Sequence, residues 1–276
     1  MKLYLETKDY TVSGESFKLL HDPVLDMLVT EPQPENLGKY YESADYISHT
    51  DAKKSVVDKM YHTVKSFNLR SKLSLISSYA DKDKTLLDVG AGTGDFLVAA
   101  KQEGWRITGI EPNEMARLKA GEKGVLLLDD LSAIPVDQKF EVITLWHVLE
   151  HLPDLDLQIA KLVGLLTETG TLVVAVPNFK SYDAKYYKEY WAAFDVPRHL
   201  WHFSQKSIGD IFGKYGMKLV RTKPMFFDAF YVALLSEKYK KGKQNFLRAF
   251  AIGLISNLLA LRSKEYSSLI YVMERR

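Results

Sequence analysis

Three glycines at alternate positions, Gly90, Gly92 and Gly94, follow the apolar run Leu86-Leu-Asp-Val89. Glycine tolerates positive φ and carries no Cβ, so this spacing lets a strand end in a tight turn against which a ligand can lie. The next apolar run, Ile107-Thr-Gly-Ile110, ends in Glu111, followed by Pro112. That is about 20 residues past the glycines, where a carboxylate at the tip of the neighbouring parallel strand accepts the hydroxyl hydrogens of a ribose. A glycine turn with a ribose carboxylate implies a nucleoside-containing cofactor.

Three cofactor classes compete. A P-loop needs Lys-Ser/Thr after its glycines, and Gly94-Asp95-Phe96 lacks the pair. A dinucleotide site spaces its glycines GxGxxG, whereas here the order is GxGxG, with Asp95 where the last glycine would stand. Asp88 and Asp95 flank the turn with negative charge, a poor setting for a pyrophosphate. They suit a cofactor with a cationic centre and an ammonium group, and S-adenosylmethionine has both.

Further along stand other groups able to do chemistry. Asp129-Asp130-Leu131 follows a third apolar run. Leu145-Trp-His-Val-Leu-Glu-His-Leu-Pro153 places Trp146, His147, Glu150 and His151 after a fourth. An imidazole beside a transferred group can take a proton at neutral pH, its reference pKa being about 6.5. Glu150 and His151 could equally tie loops together. His147, Glu150 and His151 could share one side of a helical turn and bind a divalent metal, yet no metal is expected. Arg198, His199 and His202 form a second cluster of cation and base, with Asp195 as a salt-bridge partner for Arg198. Tyr40, Tyr41 and Tyr46 could cover a cofactor with their hydroxyls.

The surrounding pattern supplies the elements that must hold these groups. Residues 1 to about 50 are irregular, with Pro23, Pro32 and Pro34. From Ala52 to Ala80 apolar residues recur at three and four, with Asp51 as N-cap and a break near Asn68. Strands are then expected at 85–89, 106–110, 125–128, 140–145, 171–176, 217–222 and 268–273. Helices are expected at 94–103, 113–122 and 154–167, the last closed by Gly170, and another begins at Ser204. Alternating helices and continuously apolar strands indicate a parallel sheet covered on both faces. Before the last strand lies an insert, about 225–262, with an apolar run from Phe246 to Leu261 after basic Lys238–Lys243. At 16 residues that run falls short of the roughly 20 that span a bilayer. Its expected roles are packing on the sheet or an oligomer interface, or else a lid for a lipophilic acceptor or a peripheral membrane contact.

Leu86–Leu97 resembles the first motif of the class I S-adenosylmethionine-dependent methyltransferases. Val148–Asp154 resembles the segment VLEHxxD of their small-molecule group, which includes the ubiquinone-type O-methyltransferases. Asp195–Ser204 resembles a DxPRHLxxFS stretch of the same group, and Val176-Pro-Asn178 its fifth strand end. The resemblance covers about residues 85–215. It implies an α/β fold: a Rossmann-like seven-stranded, mostly parallel sheet with helices on both faces, an N-terminal helical cover (1–82) and a cofactor domain (83–276). It further implies cofactor contacts from Asp88, Gly90, Gly92, Gly94, Glu111, Pro112, Asp130, Leu131, Trp146, His147 and Tyr41, with His151 and His199 as bases. Asp130 would meet the adenine amino group, and the ubiquinone-type relatives have a carboxylate where His147 stands.

Composition narrows the rest. In 276 residues, 46% hydrophobic and 26% charged describe an ordinary globular chain with room for a proper core. A net charge of +2 argues against a nucleic-acid partner held by phosphate contacts. With no cysteine, thiolate chemistry and thiolate zinc sites are excluded. The first residues show no apolar signal segment, so a cytoplasmic location is expected. The function expected is methyl transfer to a small-molecule O- or N-nucleophile. The alternatives are an NAD(P)-dependent oxidoreductase and a silent cofactor-binding protein.

Overall fold

The N-terminus is sheet, where an irregular segment and a helical cover were expected. Lys2–Lys8 (β1), Ser16–Asp22 (β2) and Met27–Glu31 (β3) form an antiparallel meander. The computed structural model describes residues 1–41, 56–80, 83–135 and 137–276, with the backbone alone for 56–66. Tyr46 and Asp51 lie outside the described residues. In β2 the buried Phe17 and Leu19 alternate with the exposed Ser16 and Lys18, the period-two pattern of a sheet wet on one face. Asp9 closes the β1–β2 turn by accepting the backbone N–H groups of Thr11 and Ser13, at 2.9 and 2.8 Å.

Helix α1 (Val56–Ser77) runs through Asn68 without the expected break. It leads to the main sheet: Thr85–Val89 (β4), Arg106–Ile110 (β5), Phe140–Trp146 (β6) and Leu166–Pro177 (β7). Neighbouring β5, β4, β6 and β7 pair in parallel. Leu86, Leu87, Val142, Ile143, Val173 and Val174 are fully buried, as adjacent residues facing opposite sides must be when both faces are covered. The cover comes from α2 (Asp95–Gln102), α3 (Glu114–Glu122) and α4 (Leu155–Gly164). Helix α4 stops at Gly164, short of the expected 167, and β7 begins at Leu166. Gly170 therefore sits inside a strand, not at a helix end; a Cβ there would come within 3.0 Å of Leu166 Cδ2 and Thr167 N.

After β7 come the short helix α5 (Tyr182–Tyr187), the two-residue strand β8 (Trp201–His202) and α6 (Gln205–Gly213). Helix α6 starts at Ser204, as the sequence suggests, with a reciprocal cap between Ser204 and Ser207. Met217–Pro224 (β9) and Ser268–Arg275 (β10) complete the sheet in the order β5-β4-β6-β7-β10-β9, with β10 antiparallel to both neighbours. Among the described residues this sheet has six strands, not seven. The stretch 125–128 gives only a bridge from Leu128 to Ile110, while Val125 N is bonded back to Ala120 O in α3. The insert is a pair of packed helices, α7 (Asp228–Lys241) and α8 (Phe246–Ser263).

The two sheets meet through residues 195–204. Strand β8 pairs with β3, and Thr30, fully buried, binds that segment three times. Its N–H donates to Leu200 O at 3.0 Å and its hydroxyl donates to His199 O at 2.6 Å, with His202 Nε2 3.0 Å away. Replacing it with valine keeps the shape and leaves a buried carbonyl and imidazole without this partner. The Thr30→Val variant should therefore lose about 1–3 kcal/mol in urea unfolding; an unchanged midpoint would show that the segment is held by other contacts.

Candidate active site

The glycine turn after β4 is built as its residue types require. Gly90, Gly92 and Gly94 all have positive φ, at 72°, 55° and 75°. Gly90 N and Ala91 N donate to Ile110 O at 2.8 and 2.9 Å, pinning the turn to the end of β5. A Cβ on Gly90 would lie 2.3 Å from Val148 Cγ2, and one on Gly94 3.0 Å from Ala120 Cβ. At Gly92 a Cβ would meet nothing within 4 Å. Two glycines thus serve packing, while Gly92 faces open space above the turn.

Glu111 sits at the tip of β5, its carboxylate shared between two backbone donors. Oε2 accepts from Gly92 N at 2.8 Å and Oε1 from Asn113 N at 2.9 Å. Each carboxylate oxygen retains a lone pair for a hydroxyl donor. Pro112 follows, and its carbonyl accepts from Arg117 at 2.6 Å. Asp130 spends its carboxylate capping a short turn at Ser132 N, 2.7 Å away, while Leu131 packs half-buried against the core. Asp95 does not supply the negative charge inferred from the sequence: it pairs with Lys123 at 2.6 Å. Asp88 is buried at the end of β4, accepts from Thr144 Oγ1 at 2.5 Å and is pushed up to about 7 by burial.

Trp146 closes the next strand end. Its ring packs edge-on against Phe96 at 5.7 Å, and the Lys72 ammonium lies 4.2 Å from its centroid. The Lys72 cation thus lies beside this aromatic face, and among the described residues the buried indole N–H has no partner.

Beyond it the chain gathers imidazoles and carboxylates from three loops. His147, itself at positive φ, lies 3.0 Å from Asp228 Oδ2 at the start of α7 and 3.4 Å from Glu150 Oε1. Burial opposes its charge, but the two carboxylates prevail and push it up to about 10. His147 is therefore a cation. Glu150 is 1% exposed, and among the described residues its oxygens make no hydrogen bond. Burial would raise it; His147 and the neighbouring imidazoles hold it below the usual carboxylate range.

His151 is the opposite case. Its Nδ1 lies 3.0 Å from Tyr41 Oη and 3.1 Å from Arg198 O. A carbonyl can only accept, so the proton belongs on Nδ1 and Nε2 keeps its lone pair. Burial and the adjacent His199 push its pKa down to about 4. The His199 ring meets it edge-on at 4.5 Å and is oriented the same way, Nδ1 standing 2.9 Å from Ala193 O. Ligand atoms of Glu150, His151 and His199 all lie within 4.8 Å of one another, a spacing that could close on a divalent cation. Arg198 faces away from this space: it is buried among Asp195, Asp9 and Tyr40 O. His202 is likewise turned inward, to Thr30.

The structure thus brings together Tyr41, His147, Glu150, His151 and His199, and separately the glycine turn with Glu111. Asp228, Lys72 and Thr144 were not singled out in the sequence. Asp228 carried a signal only in hindsight, as the acid opening a helix in an otherwise apolar insert.

Residues 61–222 match the family model described as a methyltransferase domain. A ubiquinone biosynthesis O-methyltransferase of Histophilus somni is 35% identical over 111 residues, 35% of this chain and 46% of that protein. One from Serratia proteamaculans is 38% identical over 81 residues, 26% of this chain and 34% of that protein. The chain so spans less than half the length of these two curated relatives. Among solved structures, magnesium protoporphyrin IX methyltransferase from Synechocystis PCC 6803 with bound SAH superposes with a TM-score of 0.54 at 17% identity, covering 82% of this chain and 90% of that one. A possible histamine N-methyltransferase from Thermotoga maritima gives a TM-score of 0.53 at 17% identity, over 79% and 94%. At such identities they show a shared fold.

The buried imidazoles fix a pH dependence. His151 is depressed to about 4 and burial holds His202 well below 6.5, so the native state refuses protons that the unfolded chain binds. Asp88, at about 7, gains a proton in the native state alone and offsets one of the two imidazoles, so stability falls as pH drops below about 6.5 with the imidazoles in excess. The melting temperature of the wild type should decrease from about pH 7 to about pH 5, and decrease less in His202→Gln. Parallel curves for the two proteins would contradict the assignment of neutral, buried imidazoles.

Proposed function

This chain belongs to the methyltransferase-domain family, and from that premise we propose that it transfers a methyl group from S-adenosylmethionine to a small-molecule acceptor. One observation carries the cofactor: the Glu111 carboxylate, tied to the N–H of Gly92, stands beside open space that only a glycine leaves. The residues present fit the group. Glu111 offers lone pairs to ribose hydroxyls, Leu131 and Asp130 offer an apolar and a polar contact to the base, and Trp146 offers an aromatic wall. Asp88, the glycines, Pro112, His147 and Tyr41 complete the proposed cofactor surface.

When bound, the cofactor supplies a methyl group activated by a sulfonium. The protein's part is placement and proton handling. An acceptor atom must lie about 3 Å from the methyl carbon, in line with the departing sulfur. As the acceptor's bond to carbon forms and the carbon–sulfur bond breaks, the acceptor gives up its proton. His151 and His199 present imidazole Nε2 lone pairs for it, each ring held through Nδ1 by a backbone carbonyl. His147 serves differently. As a cation between Asp228 and Glu150 it orients the wall of the site.

A second reading rests on the approach of Glu150, His151 and His199 to within 4.8 Å. A divalent cation there would bind the acceptor's oxygen and lower its pKa, making the imidazoles ligands instead of bases. The oxidoreductase alternative is weaker, because Asp95 occupies the place of the third glycine.

The test is transfer of a labelled methyl group from the cofactor into fractions of a metabolite and lipid extract. We expect label in a small-molecule fraction, with His199→Gln slowing turnover by about 10²–10⁴-fold while cofactor affinity holds within about twofold. No label in any fraction would leave a silent binder. Loss of activity in EDTA, restored by a divalent metal, would favour the second reading.

A further inference from the structure

Helix α8 is built inside out. Apart from Ile252, the side packed on the protein is small or polar: Ala249, Gly253, Ser256 and Ala260 are buried, Ser256 donates to Asp183 at 2.6 Å, and a Cβ on Gly253 would come within 2.7 Å of the Phe230 ring of α7. The outward side is large and apolar. Leu247 is 87% exposed and Phe250 60%, and Leu254, Leu258 and Leu261 continue the stripe at three- and four-residue spacing. Single exposed leucines are ordinary; a continuous stripe along a whole helix marks an interaction surface.

Charge on the rim identifies the partner. From Lys238 to Lys264 the chain carries no Asp or Glu. Lys241 and Lys243 are exposed before the helix, and Arg262 and Lys264 are exposed at its end. The acids that flank this stretch in sequence are turned elsewhere: Glu237 to Tyr187 and Arg248, Asp228 to His147, and Glu265 to Asn178 and Gln205. A second copy of this chain fits badly. Two-fold pairing of the stripe would set cations against cations, whether the helices ran parallel or antiparallel.

We propose that the outer face of α8 docks in the plane of an anionic membrane, its leucines below the headgroups and its terminal cations among them. Cations at both ends match one headgroup layer, whereas a spanning helix would place its ends in opposite ones. The 18-residue helix is also only about 27 Å long, and its inner side is bonded to the protein and cannot meet lipid. Helix α7, packed on α8, begins with Asp228 at the His147 site. Docking therefore sets the candidate active site close to the bilayer, where a lipid-borne acceptor would enter. That last step rests on the methyl-transfer reading, while docking does not.

Full-length protein should co-sediment with vesicles of phosphatidylcholine containing one-third phosphatidylglycerol, at least about tenfold more than with phosphatidylcholine alone. Leu254→Gln/Leu258→Gln should abolish binding without changing circular dichroism or melting temperature. Lys241→Gln and Arg262→Gln should each weaken it about fivefold and reduce its salt dependence. Three results would overturn the proposal: no binding to anionic vesicles, binding unchanged in the leucine variant, or a dimer in sedimentation equilibrium that this variant dissolves. None of these measurements uses the cofactor, so the outcome stands apart from the methyl-transfer assay.

Discussion

A carboxylate shared between two backbone N–H groups is the constraint on which the site depends. Glu111 ends β5 and reaches across to Gly92 in the turn after β4, so the neighbouring strand ends are fixed to each other by a charged acceptor. The turn is already hung on Ile110 O by Gly90 N and Ala91 N. With both oxygens anchored from below, the remaining lone pairs are preorganised for hydroxyl donors from above. A glutamine here would turn an amide on one of those N–H groups, and an aspartate would fall short of Gly92.

The second half of the site works by separating charges. His147 and His151 are four residues apart, yet their environments move them in opposite directions, one up to about 10 and the other down to about 4. Asp228 and Glu150 explain the first; burial and His199 explain the second, against the Arg198 carbonyl, which favours the protonated ring. Titratable neighbours pushed apart in this way give a fixed cation and a neutral base in one small volume. The N-terminal sheet makes this possible. It buries Arg198 against Asp9, and its Thr30 holds the carbonyl of His199, so the loop that delivers both imidazole partners cannot swing away.

Much of this was legible in the sequence because the signal is local. A strand buried on both faces writes a continuous apolar run, and a tight turn writes its glycines, so β4, β5 and the turn between them could be placed to within a residue. The helix cap at Ser204 was equally readable in kind. What stayed hidden depends on distant pairing. Strands β1 and β2 bury only part of one face, and their alternation is blurred by half-buried residues such as Leu5 and Leu20. The partner of β3 is a two-residue strand about 170 positions away. Gly170 misled because a glycine inside a bent strand and one at a helix end look alike in sequence. Asp95 shows the same limit for charges: it was visible, and only the fold shows that it is spent on Lys123, whereas the pairing of Arg198 with Asp195 was readable from the sequence.

The most direct measurement is calorimetric titration of the purified chain with S-adenosylmethionine, its demethylated product and NADH, in the wild type and in Gly92→Leu. The account requires the two adenosyl compounds to bind the wild type with one-to-one stoichiometry, NADH to give no heat of binding, and the leucine variant to remain folded while losing both. Binding of NADH alone, or undiminished binding by the variant, would contradict the placement of an adenosine between Gly92 and Glu111.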